Sequence, residues 1–265
     1  MLFSQPQKKR TLLVAATALA LFSAAAAFSQ QHAKAKTAPP AVREQLMPFA
    51  PGETLSYRVE WSMFSSAAAV QLVVPERRDL FGFPTWHFRA QAHTQSPVRS
   101  LFTIDDQFDS YTDANTLESR QYETHLDEMG RKTNQVLHLV PTGQVSKAPG
   151  PSVVVAPGTR DPLGAFYALR GVEWGRTPEF HTPVYDGRDL YEMRVQREAP
   201  SETVKVDTGS FNTSRLSIRV FQHDKEVSAI HFIVWLANDA AHTPVQIDAE
   251  LPFGSLRAEL TSVSR

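Results

Sequence analysis

Four aspartates close together, Asp105, Asp106, Asp109 and Asp113, pose the first chemical question, because hard cations are held by several carboxylate oxygens. An EF-hand loop needs glycine at its sixth position and glutamate at its twelfth, and this spacing does not supply them. A polar strand face carrying Asp105, Gln107 and Asp109, followed by a turn at "DANT", accounts for the same residues with less. The nine histidines are scattered. His87 and His93 share a polar strand face with Arg89 and Gln91, but six residues of strand separate them by ~20 Å, too far to hold one metal between them. No metal or cofactor is expected. Asp161 and Arg170 are the other polar candidates; helix capping and the helix dipole already explain both, and a binding role would have Arg170 meet an anionic head group.

Motifs that would mark catalysis are missing. There is no G-x-S-x-G elbow, H-E-x-x-H pair, Walker loop or G-x-G-x-x-G turn. With no cysteine in the chain, a nucleophile would be Ser, Thr, Lys or a carboxylate without local support. The reading leans away from an enzyme, and no catalytic residue is assigned. The aromatic residues Trp61, Trp86, Phe88, Phe166, Tyr167 and Trp235 either line a concave apolar space of the kind that binds small ligands or fill a packed core. On the first alternative the ligand-binding residues are Trp61, Phe88, Leu163, Phe166, Tyr167, Arg170 and Trp235.

The elements that must position these residues begin after an export segment. "QKKR" followed by "TLLVAATALALFSAAAAF" has the basic, apolar and small-residue regions of a cleaved secretory signal peptide, assigned to residues 1–29. Residues 30–47, rich in Ala, Lys, Gln and Pro, read as a flexible tether. Residues 48–265 read as a single β domain, periplasmic or secreted. The absence of cysteine also removes the lipid-modified thiol of a lipoprotein. A net charge of −1 and a pI near 6.8 give no global field for nucleic acid.

Within 48–265 the apolar period is two. Leu55, Tyr57, Val59 and Trp61 share one face, and the same alternation recurs through Trp86–Ala92, Tyr191–Val195, Leu216–Val220, Val245–Leu251 and Leu256–Leu260. Residues 229–236 are apolar on both faces apart from His231, which predicts a strand covered on both sides. "YDGR" at 185–188 is a hairpin signal. Nine to eleven strands are expected. The Pro/Gly-rich stretch 141–160 reads as a long connection into the one helix of the domain. There Asp161 is the N-cap, Pro162 the first helical residue and Gly171 the C′ position. Leu163, Phe166 and Tyr167 form its apolar stripe, with Arg170 at its end. A helix this short is marginal by itself, so it must pack on the sheet. The expected fold is mainly β: a strongly curved antiparallel sheet or partly open β-barrel with one short helix, about 162–170, covering the concave side.

Five blocks in order, "PFAPGETLSYRVEW", "IDDQFDSYTDANTL", "RDPLGAFYALR" with "PVYDGRDLYEMRV", "TGSFNTSRL" and "VWLANDAAHTPVQIDAELPFGSLRAEL", resemble the exported bacterial proteins grouped as domain of unknown function 3108, over about residues 48–263. The resemblance implies a mainly β envelope or periplasmic protein and carries no established activity. The expected function is binding of an apolar or amphipathic, lipid-like ligand in the curved sheet, by fold-level analogy with periplasmic carriers. The alternative is a structural or interaction module with a packed interior that engages an envelope protein partner.

Overall fold

The computed structural model describes residues 46–139, 144–148, 153–252 and 254–265. The expected signal peptide, residues 30–45 of the expected tether and parts of the 141–160 connection lie outside the described residues. Among the described residues fourteen strands form one antiparallel sheet. They are β1 (Thr54–Trp61), β2 (Phe64–Leu80), β3 (Phe83–Thr94), β4 (Asp105–Asp113), β5 (Ser119–Glu128), β6 (Arg131–Leu139), β7 (Gln144–Ala148), β8 (Val153–Val154), β9 (Glu179–Tyr185), β10 (Leu190–Val206), β11 (Gly209–Gln222), β12 (Lys225–Ala237), β13 (Pro244–Leu251) and β14 (Gly254–Ser264). The sheet is two meanders, β1 to β8 and β9 to β14, joined at its middle by pairing of β1 with β14. The single α-helix among the described residues, α1 (Pro162–Arg170), connects the two outermost strands.

The strand count exceeds the nine to eleven expected, for two physical reasons. β5 and β6 carry polar side chains on both faces over much of their length, so they show no period-two signal. β7 and β8 fall inside the Pro/Gly-rich stretch that reads as a connection. A further correction concerns 229–236. Ile230, Phe232, Val234 and Leu236 are buried on the concave face, but on the other face only Trp235 is buried and Ile233 stays half-exposed.

The sheet rolls past itself instead of closing. Tyr122 pairs with Leu137, which puts Leu137 and Gln135 on the concave face. Gly187, in the β9–β10 turn at φ +94°, lies against both, so close that a Cβ there would stand 2.9 Å from Leu137 Cδ1. The β9 edge is therefore tucked inside β6. A short strap fixes the overlap: the Arg160 N–H donates to Pro183 O at 3.0 Å, the Tyr185 N–H to Arg160 O at 2.8 Å and the Ser119 N–H to Thr159 O at 3.3 Å.

Helix α1 sits inside the roll. Asp161 caps it, accepting the Gly164 N–H at 2.8 Å, and Pro162 follows where a missing donor is harmless. At the other end Gly171 has φ −81°, so the expected left-handed C′ glycine is replaced by an ordinary right-handed turn. Leu163, Tyr167 and Ala168 join a core cluster with Phe49, Phe88 and Tyr122, while Ala165 and Leu169 join a second with Trp174, Met193 and Val234. The apolar stripe of three thus understates the burial, since the alanines and Leu169 pack as well. An all-round apolar helix belongs in an interior.

Gly164 is where helix and sheet come closest, because a Cβ would lie 2.9 Å from Thr112 Cγ2 and 3.1 Å from Ser119 Oγ. Alanine is the better helix former by up to about 1 kcal/mol, but overpacking a rigid site costs about 1 to 3 kcal/mol. Gly164→Ala is therefore expected to lower stability, read as a lower urea midpoint at unchanged m-value. An unchanged or raised midpoint would show that α1 can shift away from β4 and β5.

Candidate functional site

Both ends of α1 carry buried charge. At the N-terminus the Asp161 carboxylate accepts from Ser110 Oγ at 2.6 Å and from Ser119 Oγ, whose oxygen in turn accepts the Asp161 N–H at 2.6 Å. Burial pushes the carboxyl of Asp161 up, and the hydrogen bonds from Ser110, Ser119 and Gly164 oppose that rise. At the C-terminus Arg170 donates to both oxygens of Glu53, at 2.6 and 3.1 Å, and both side chains are 1% exposed. Arg170 also donates to Ala241 O at 2.9 Å, and its guanidinium lies 5.3 Å from the Phe49 ring centre. Arg265 reaches the same Glu53 at 3.2 Å. This knot ties the start of β1, the end of α1, the β12–β13 loop and the end of β14 together, and it engages the charge of Arg170 inside the protein.

The other expected ligand-binding residues separate into groups. Phe88, Leu163 and Tyr167 are fully buried, and the Phe88 and Tyr167 rings stack at 3.8 Å. Trp61 lies at the other end of β1, against Phe64 and Phe102 at 6.3 and 6.2 Å. Trp235 projects from the face opposite Val234 and Leu236, donating to Glu202 at 3.1 Å. Phe166 differs from all of these. It is the one residue of α1 that is not buried, and two positions along a helix from Gly164 it points across the axis, away from Thr112 and Ser119.

The concave face changes character toward that side. Leu72 and Phe88 are fully buried beside α1, whereas further along β2 and β3 Val70, Ala68 and Ala92 are half-buried. Ala258 of β14, which pairs with Val59, is half-buried too. Small side chains on a concave surface leave room that large ones would fill. The concave face therefore has a packed part around α1 and a shallower, partly exposed part further along β2 and β3, while Phe166 packs against both core clusters and stays half-buried.

Two carboxylates stand on the concave face at the shallow end. Asp106 is opposite Ala92, and Glu128 is bridged to Ile104. Asp106 accepts the Asp127 N–H at 3.0 Å through Oδ1, but Asp106 Oδ2 and Glu128 Oε1 are buried without a hydrogen-bond partner. Burial raises the Asp106 carboxyl to about 6, with Asp105 and Asp127 adding to the rise. Burial raises Glu128 to about 7, with Asp106 adding to it and Arg131 opposing. The sequence placed Asp105, Gln107 and Asp109 on one polar face, and they pair opposite His93, Gln91 and Arg89 there. Asp105 meets Arg99, Asp109 meets His87 and Arg89, and Asp113 caps its own turn. Asp106 belongs to the other face; its alternation with Phe108 and Ser110 was the available signal. Glu53, Ser110 and Ser119 were also missed, because nothing local marks a side chain whose partner is far along the chain.

On the convex face His87 is 4% exposed and approaches Asp109 Oδ1 at 2.5 Å, with its ring stacked 4.4 Å from Tyr111. Burial would raise the Asp109 carboxyl, but hydrogen bonds from His87, Gln107 and Arg89 hold it below the usual range. The pair is shut off from solvent and cross-links β3 to β4. His93 lies further along the same strand, opposite Asp105. Among the described residues no three metal-ligating side chains come together.

A rolled antiparallel sheet wound around a buried helix defines a β-barrel-like class of protein. The chain belongs to the family described as protein of unknown function DUF3108, whose model matches residues 56–261. No curated protein matches it. Among solved structures it resembles a β-barrel-like protein of the DUF1849 domain from Brucella abortus, with 10% identity, a TM-score of 0.56, and coverage of 81% of this chain and 98% of that one. A candidate exported protein from Bacteroides fragilis (9% identity, TM-score 0.38, 84% and 100% covered) and a candidate lipoprotein from Parabacteroides distasonis (11%, 0.38, 84% and 100%) are more remote. The first likeness supports the fold.

Two outcomes follow from the buried charges. Removing one partner of a buried ion pair costs about 3 to 5 kcal/mol, whereas replacing both with apolar groups is often neutral. Glu53→Gln is therefore expected to destabilise strongly, and the double variant Glu53→Leu/Arg170→Met to recover much of that loss in chemical denaturation. Asp106 and Glu128 titrate near 6 and 7 in the folded chain and near 4 when unfolded. The folded state thus takes up protons first as pH falls, so these groups add stability between pH 8 and 5. Thermal melts across that range should show a gain that Asp106→Asn/Glu128→Gln removes; parallel curves for the two proteins would contradict the assignment.

Proposed function

We propose that the protein is an exported, non-enzymatic binding protein that holds an apolar or amphipathic, lipid-like ligand in the shallow half of the rolled sheet, against Phe166. The observation that carries this reading is the change from Leu72 and Phe88 to Val70, Ala68 and Ala92 along β2 and β3, together with Phe166 as the one half-buried residue of α1. Concave, mostly apolar surfaces with few polar groups are where small ligands bind. The basic, apolar and small-residue regions of the N-terminus support export to the periplasm or beyond. Without cysteine the chain has no thiol to carry a lipid anchor. Full burial of Phe88, Leu163 and Tyr167 supports a scaffold role for these three, with Phe166 as the contact that a ligand shares with the helix.

Native mass spectrometry of the chain purified from cells without detergent, followed by solvent extraction, tests this. A discrete bound amphiphile is expected, and Phe166→Ala should lose it with little change in melting temperature. Tyr167→Ala, which removes the ring stacked on Phe88, should instead cost about 3 to 5 kcal/mol of stability. A mass that stays ligand-free when envelope lipids are supplied would refute the reading and favour a packed interaction module.

A further inference from the structure

We propose that Asp106 and Glu128 form a subsite for a cationic group, so that the ligand held in the shallow half of the roll carries an ammonium at its polar end. This inference rests on the binding reading above. Two observations point to it independently of each other. The first is placement: Asp106 pairs opposite Ala92, one of the small residues of the half-buried concave surface, and Glu128 stands beside it across the β4–β5 ladder. The second is incomplete satisfaction: Asp106 is 3% exposed, yet its Oδ2 has no hydrogen-bond partner, and Glu128 Oε1 is likewise buried and unpartnered. A buried acceptor without a donor is costly, and a charged one more so. An ammonium supplies three donors and the opposite charge, and so completes both groups at once.

The surrounding charges leave these two oxygens free. Asp105 is held by Arg99 through two contacts at 2.7 and 2.9 Å on the convex face. Asp127 pairs with Lys132 at 3.2 Å. From β6, Arg131 stands directly opposite Glu128 in the ladder and opposes the rise of its carboxyl by its charge, while Glu128 Oε1 stays without a hydrogen bond. His93, on β3, lies opposite Asp105 and so on the other face from Asp106. A hard divalent cation fits less well, because calcium takes six to eight oxygen ligands, and among the described residues no third carboxylate or histidine joins the pair.

Binding of dodecylamine, dodecanol and dodecanoate to the full chain, followed by isothermal titration at pH 8, separates the questions, with butylamine as a probe for a cation lacking a long chain. Dodecylamine is expected to bind at least about tenfold more tightly than dodecanol, the scale of one charge-assisted contact, and dodecanoate more weakly than either. Butylamine binding as tightly as dodecylamine would place the source in small free amines. In Asp106→Asn/Glu128→Gln the preference for the amine should vanish while dodecanol affinity is kept, and circular dichroism of the same sample shows whether the variant is folded. Because both carboxylates become neutral as pH falls through about 7 and about 6, amine affinity should drop between pH 8 and 5 while dodecanol affinity does not. Equal affinity for dodecanol and dodecylamine would overturn the cation subsite and leave the apolar site standing. Absence of dodecanol binding would overturn the binding reading itself.

Discussion

The whole arrangement depends on burying one nine-residue helix with charge at both of its ends. A helix of this length has little stability in water, so it exists only because the sheet wraps it. Wrapping removes its unsatisfied terminal groups from solvent, and the ends must then be completed by protein. Asp161 with two serine hydroxyls does this at the N-terminus, and Arg170 with Glu53 anchors the last turn. Each connection reaches a different part of the sheet. The helix thus both covers the concave side and fastens the two meanders to each other.

Fixing the helix at one side has a geometric consequence for the other. Gly164 and Ala168 bring α1 close to the β4–β5 turn, and the large residues of β1 to β5 close around it. β2 and β3 continue beyond the helix, and there their concave side chains are the smaller, half-buried Val70, Ala68 and Ala92. The tightly packed and the half-buried parts of the concave face thus lie at different positions along β2 and β3. The carboxylates Asp106 and Glu128 each keep a buried oxygen without a hydrogen-bond partner, while Asp109 and Glu53 have permanent partners and do structural work.

Much of the fold was legible because its physics is local. Alternation at Leu55–Trp61 or Leu216–Val220 reports a dry face directly, and the Asp161-Pro162 start of the helix is a matter of cap chemistry. The strands that were missed, β5 to β8, lack that signal: Thr124 and Glu128 face the concave side half-buried and Gln135 faces it beneath Gly187, so polar residues stand where alternation would demand apolar ones. The site was less legible. Trp61 keeps the concave parity of Leu55 and Tyr57 at the far end of β1, whereas Trp235 stands on the face of β12 opposite Val234, and aromatic identity does not encode that direction. Glu53 is 117 residues from Arg170, so no spacing rule connects them. Asp106 could be assigned to its face by parity, but its unpartnered oxygen depends on how β4 meets β5.

Pairing of β1 with β14 sets a temporal order on assembly. The two meanders can each form from neighbouring segments, but their common seam, with Thr54 opposite Ser264, waits until the last described strand has been made. Glu53 gains Arg265 and the β12–β13 loop through Arg170 at that same stage. Until then each half-sheet presents its apolar concave face as an open edge, a state in which chains associate with one another. The protein is thus most vulnerable just before completion, and loss of the final strand would leave two sticky halves in place of one rolled sheet.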